Sequence, residues 1–206
     1  DAVSFPELQA GNLEEQTNLV AQALCSIGRK SGMSRFVLLV GHGSTSENNP
    51  YESALDCGAC GGNHGLTNAK ALAHMANRAQ VRNRLRYHGI IIPGDTWFIP
   101  AMHDTVSDRL RLYELERIPS SHVIYLDRLR SGLVAASRLC AQERLPELQL
   151  KPAPVDPGTA NRDAHRNAVD WSQVRPEWGL SGNAYFIIGR RNLTRDFPLK
   201  GRAFLH

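Results

Sequence analysis

Three residues of this chain have the types and spacing that could do chemistry: His42, Cys57 and Cys60. They lie in "VGHGSTSENNPYESALDCGACGGNHG", where an apolar run stops at Gly41-His42-Gly43 and two cysteines follow in a glycine-rich turn. Imidazole nitrogen and thiolate sulfur are good zinc ligands, and a catalytic zinc takes about three protein ligands and one open position. Gly41, Gly43, Gly58, Ala59, Gly61 and Gly62 would let backbone approach an ion closely. The interval from His42 to Cys57 is too long for one helix face, so a folded loop must bring the two together. Cys57 and Cys60 also form a C-x-x-C pair. A structural zinc knuckle would need a second such pair, which the chain lacks. His64 is a possible fourth ligand, although a histidine beside glycines is more often simply solvated.

Other chemistries compete for the same stretch. A thiol oxidoreductase would use Cys57 and Cys60 at a helix N-terminus, where the dipole lowers a thiol pKa. The glycines in "CGACGGN" occupy what would be the first turn of that helix, which ranks this reading second. A phosphate-binding loop would need the Lys and Ser/Thr that "GACGGNHG" does not have. A serine nucleophile at Ser44 finds no G-x-S-x-G elbow. In "RPEWGLSGNAYFIIGRR", Arg175, Glu177, Trp178 and Asn183 precede a strand. They read as a capped turn with a packed Trp, or as a polar wall of the site.

The elements that must position these residues alternate. "LEEQTNLVAQALCSI" (13–27) has apolar residues at helical spacing and stops at Gly28. "RFVLLV" (35–40) reads as a buried, parallel strand. Residues 41–65 form a long loop, 67–86 a long helix, and "TWFIPA" (96–101) a second strand. "HVIYLD" (122–127) reads as a third strand, followed by a helix ending near Pro146. A Pro-rich loop spans 146–170, and "AYFIIGRR" (184–191) gives a fourth strand. The expected fold is α/β, a mostly parallel sheet flanked by helices. The expected organisation is a single domain over 1–206, with a core at 35–145 and a final strand region at 171–206. In such sheets ligands gather at the carboxyl ends of strands. His42, His103 and Asp104 all sit there.

Composition bounds the function. The 206 residues carry a net charge of +4 and are 42% hydrophobic, which suits a folded chain with a sizeable core. The basic excess is too small to argue for nucleic acid. No run approaches the roughly 18 apolar residues of a spanning helix, and the first residues lack a signal-peptide pattern. Of the four cysteines, Cys25 and Cys140 are expected to be buried as small hydrophobes.

Together, the His42–Cys57 stretch, "NRAQVRNRLRYHGIIIPGDTWFIPAMHDTVSDRL" and "RPEWGLSGNAYFIIGRR" resemble the DabA family, soluble subunits of bacterial inorganic-carbon accumulation systems related to β-carbonic anhydrases. The resemblance runs from about residue 13 to the end. It implies a β-carbonic-anhydrase-like fold and a Zn2+ site in which His42 and Cys57 are ligands and Cys60 a neighbour. The remaining ligand Cys and Asp come, in that family, from an upstream C-x-D-x-R strand. No such motif occurs here, so the family's catalytic Asp-Arg dyad is absent from this chain. Family members are several times longer, which implies that this is a C-terminal part and that it is inactive alone. The resemblance further implies CO2 hydration to bicarbonate, an integral membrane antiporter-like partner of DabB type, and a peripheral place on the cytoplasmic face of the inner membrane. A catalytically silent partner-docking module is the alternative.

Overall fold

A computed structural model describes residues 11–47, 63–148, 156–172, 185–187, 189–198 and 203–205. The chain divides into two compact units. The first holds 1–41, 66–101 and 112–118; the second holds 42–65, 102–111 and 119–206.

In the first unit, helix α1 (Leu13–Ser26) starts at a capping box. The Asn12 side chain accepts from the Glu14 and Glu15 N–H groups at 2.9 and 3.0 Å, and Glu15 accepts from the Asn12 N–H at 2.9 Å. Two orphan donors of the first turn are thereby satisfied. The expected stop, Gly28, has φ 71, a conformation that glycine adopts without a Cβ penalty. Val20, Ala21 and Leu24 of α1 pack with Ala73 and Ala76 of α2 (Leu66–Asn77), Val81 and Leu85 of α3 (Ala79–Leu85), and Ile90 and Phe98.

The helix expected over 67–86 is two helices, broken at Arg78, whose backbone is extended (φ -72, ψ 126). The last residue of α2 explains the break. The Asn77 side chain donates to the Phe98 carbonyl at 2.8 Å and accepts from the Phe98 N–H at 3.0 Å. It completes a strand residue's hydrogen bonding instead of extending the helix.

Strands β1 (Phe36–Gly43), β2 (Trp97–Asp104) and β3 (Leu110–Leu112) form a sheet in the order β1-β2-β3. β1 and β2 run parallel: Trp97 N–H donates to Arg35 C=O at 2.8 Å and Thr105 N–H to Gly43 C=O at 2.9 Å. β3 is antiparallel to β2, with Asp104 N–H on Arg109 C=O and Tyr113 N–H on Pro100 C=O, both 2.9 Å. β4 (Tyr185–Ile187) pairs in parallel with β5 (Ala203–Leu205).

The second unit corrects two expectations. Residues 122–127 are not a strand: α4 covers Ser120–Val123, and α5 runs from Leu126 to Leu148, through Pro146. His122 and Leu126 are buried four residues apart, whereas Val123 is 51% and Ile124 76% exposed. That is helical spacing, and it overrides the strand propensity of a short β-branched run. Within the expected Pro-rich loop, α6 spans Pro157–Val169. Asp156 caps it, accepting from Thr159 N–H at 2.7 Å and the Thr159 hydroxyl at 2.9 Å, and Pro157 sits in the first turn. These are standard helix-start residues. The apolar face behind them is made of alanines: Ala160 and Ala164 pack against Ala141 and Leu145 of α5.

Cys25 and Cys140 are both exposed, contrary to the expected burial, because each lies on the outer side of its helix. Among the described residues, no helix is long and apolar enough to cross a membrane.

Candidate functional site around His42

His42 is the penultimate residue of β1, and its backbone is held tightly. Its C=O accepts from Gly65 N–H at 2.7 Å. The next residue, Gly43, accepts on its C=O from both the N–H (2.9 Å) and the hydroxyl (3.2 Å) of Thr105. Two residues further, Thr45 donates its N–H to Asp104 Oδ1 at 3.1 Å, and its hydroxyl lies 2.9 and 3.0 Å from the two Asp104 oxygens. Glu47 N–H closes the stretch on Ala168 C=O of α6 at 2.9 Å. The His42 side chain is exposed.

Asp104 is 4% exposed. Besides Thr45 it accepts from the Ser107 hydroxyl in a very short bond and from Val106 N–H at 3.3 Å. A buried carboxylate is costly unless such donors surround it. The turn that carries Ser107 is itself fastened: its C=O accepts from Ser137 Oγ of α5 and Asn161 Nδ2 of α6, each at 2.9 Å. Both helices therefore brace the end of β2.

β1 and β2 pair up to Gly43 and Asp104, so His42 and His103 are lateral neighbours in the parallel ladder and share a face. His103 Nε2 lies 2.9 Å from Asp108 Oδ1, and that same oxygen accepts from Arg144 Nη1 at 2.7 Å. Arg144 also donates to Thr105 C=O at 3.0 Å. Asp108 has φ 55, and among the described residues its buried Oδ2 has no hydrogen-bond partner, nor does the buried Arg144 Nε. The nearby Cys140 thiol is pushed up by partial burial and by the charges of Asp108 and Glu143, with Arg144 opposing.

Of the residues singled out in the sequence, Cys57, Cys60, Arg175, Glu177, Trp178 and Asn183 lie outside the described residues. His64 is exposed just before α2. Thr45 and Arg144 carried no recognisable signal, because their partners, Asp104 and Asp108, lie 59 and 36 residues away in sequence. Among the described residues no three His, Cys, Asp or Glu side chains converge as a metal cage. His42 by itself fits one position of such a site. It is an exposed imidazole on a fixed backbone, at a strand end, with no ring hydrogen bond to the described residues.

A separate cavity of about 750 Å3 lies in the first unit, lined in part by Gln16, His74, Arg78, Trp97, Glu114 and Arg117. Glu114, at φ 56, gathers the His74 ring with Lys70 at 3.9 Å and Arg117 at 3.6 Å. It contains none of the residues expected to hold metal.

Residues 6–206 match the family model described as "Probable inorganic carbon transporter subunit DabA". This chain belongs to the DabA family. It is 62% identical over 198 residues to a probable inorganic carbon transporter subunit DabA of Thiobacillus denitrificans. It is 58% identical over 195 residues to DabA1 of Halothiobacillus neapolitanus, and 47% identical over 195 residues to the DabA of Aquifex aeolicus. Each alignment covers 94% of this chain and 19% of the relative. The chain thus spans about a fifth of the length of these DabA relatives. No solved structure matches it.

Proposed function

We propose that this chain is the part of a DabA-type subunit that supplies His42 and Cys57 to a zinc centre for the conversion of CO2 to bicarbonate in an energy-coupled inorganic-carbon transport complex. The observation that carries the reading is family membership across residues 6–206, with relatives named as inorganic carbon transporter subunits. The word "subunit" in those names supports a partner, which on this reading is an integral membrane protein of DabB type at the cytoplasmic face of the inner membrane. The other zinc ligands and the Asp-Arg pair belong, on this reading, to a C-x-D-x-R strand elsewhere in the longer polypeptide, within a β-carbonic-anhydrase-like fold.

Zinc, when bound, lowers the pKa of a coordinated water toward neutrality. This chain's own contribution is placement. His42 offers a nitrogen donor from a backbone pinned at its own C=O, at Gly43 and at Thr45. A ligand fixed beforehand loses little conformational freedom on binding metal.

The deciding experiment uses the full-length polypeptide, purified without chelator and assayed together with its membrane partner. His42→Ala and Cys57→Ala should each remove zinc and abolish carbon-dependent growth. Wild-type zinc content and wild-type uptake in both variants would overturn the proposal.

A further inference from the structure

We propose that Asp104, acting through Thr45, is a positioning residue for His42, an inference that rests on the zinc reading above. The carboxylate is buried and takes every donor that the Thr45 side offers: one N–H and one hydroxyl shared between its two oxygens. Thr45 is 59 residues away in sequence and lies in the stretch that immediately follows His42. The neighbouring Thr105 grips Gly43 with two more donors. Consecutive residues at the end of β2 therefore hold Gly43 and Thr45, on the C-terminal side of His42, and Gly65 holds His42 itself.

Val106 and Ser107 are the donors that the carboxylate's own turn supplies. The three contacts from Thr45 have no role in that turn. They reach out to a glycine-flanked stretch that has little intrinsic stiffness. Among the described residues no hydrogen bond reaches the His42 ring, so the backbone on either side of it is the route by which these outer groups place the imidazole.

The test measures zinc affinity of the full-length protein by chelator competition. It also records the visible spectrum of the Co2+-substituted form and the melting temperature. Thr45→Val and Asp104→Asn should weaken zinc binding about 10- to 100-fold and alter the Co2+ spectrum. Thr45→Ser, which keeps the hydroxyl, should restore both. Thr45→Val removes one donor from the buried carboxylate and should lower the melting temperature, whereas Thr45→Ser should keep it; the Co2+ spectrum, recorded on folded protein, reports the geometry at His42 separately from that loss. If Thr45→Val and Asp104→Asn bind zinc as wild type does while His42→Ala loses it, the positioning role is overturned and the zinc reading stands. If His42→Ala also keeps its zinc, the zinc reading has failed and this inference fails with it. Should Asp104→Asn not fold, the Thr45 pair decides the question.

Discussion

Asn77 pairs with Phe98 as a strand would, donating to its C=O and accepting from its N–H through one side-chain amide. Its oxygen also accepts from Arg82 Nη2 at 2.8 Å. The amide ends α2, ties it to β2, and satisfies two backbone groups of a residue that is 1% exposed. Asn77→Ala leaves those groups unpaired, at about 1–3 kcal/mol each. Asn77→Asp also sets a carboxylate against a carbonyl. Both should lower the urea midpoint, with Asp the worse; equal or unchanged midpoints would contradict this role.

Arg82 is the second brace of the same corner. It donates to Ala76 C=O, Asn77 Oδ1 and Thr96 C=O, all at 2.8 Å, and lies over the Phe98 ring at 5.7 Å. Burial lowers its pKa from the ordinary guanidinium value, yet an arginine side chain still stays charged at neutral pH. Lysine cannot reproduce the planar fork. Arg82→Lys should destabilise by about 2 kcal/mol, since hydrogen bonds to charged groups are worth about 1.5–3 kcal/mol each. Thermal unfolding checks it, and a melting temperature equal to wild type would refute it.

Cys140 tests the charge balance near His103. Partial burial comes first among the causes that raise its thiol pKa, followed by Asp108 and Glu143. At pH 7–8 the thiolate fraction is small, so alkylation by iodoacetamide should be slow. Asp108→Asn removes one of the raising charges and leaves Arg144 in place. The Cys140 alkylation rate, followed by mass spectrometry of its peptide, should then rise; a rate that falls or stays constant would count against the arrangement.

The cap of α6 gives a pH dependence. Hydrogen bonds from the Thr159 N–H and then its hydroxyl hold the Asp156 pKa below its ordinary 3.8. A lowered folded-state pKa means stabilisation that is fully present above the ordinary value and lost progressively as pH falls below it and through the lower folded-state value. Hydrogen exchange in α6 should accelerate as pH drops below the ordinary value, beyond the intrinsic pH effect. Asp156→Asn, which keeps the cap geometry, should remove the extra pH dependence. An identical pH profile in the two proteins would rule out this source.

The α5–α6 contact depends on small side chains. Ala160 is fully buried and Ala164 nearly so. Ala164→Leu should cost about 1–3 kcal/mol through overpacking, and Leu145→Ala about 2–5 kcal/mol through the cavity it leaves. Chemical denaturation distinguishes these losses from the near-zero effect expected at an exposed alanine.

These residues also show where sequence is informative. Asn12, Glu15 and Gly28 bound α1 by local rules; the apolar run at 97–101 is a largely buried strand as its sequence suggests, whereas the run at 36–40, expected to be buried, is a strand only partly covered, with Val40 exposed. α6 is less visible: Asp156 and Pro157 signal its start, but alanines contribute too little hydrophobic contrast to show a face. Residues 122–127 carry strand-forming side chains that tertiary context turns outward on helices. At the site, His42 stands out as a polar residue between glycines after an apolar run. Asp104 stands out only as a strand-end acid. The pairing of Asp104 with Thr45 is a tertiary fact with no local trace, and so is that of Asp108 with Arg144.

The parallel register of β1 and β2 has a genetic consequence. His42 and His103 are placed by counting along strands, and side chains alternate faces at every step. A conservative substitution within 36–41 changes packing and leaves the count intact. A one-codon deletion or insertion there shifts the frame of the ladder, sends the imidazole to the opposite face and separates Thr45 from Asp104. In a deletion scan this strand should therefore be silent to many amino-acid exchanges and intolerant of any change in length.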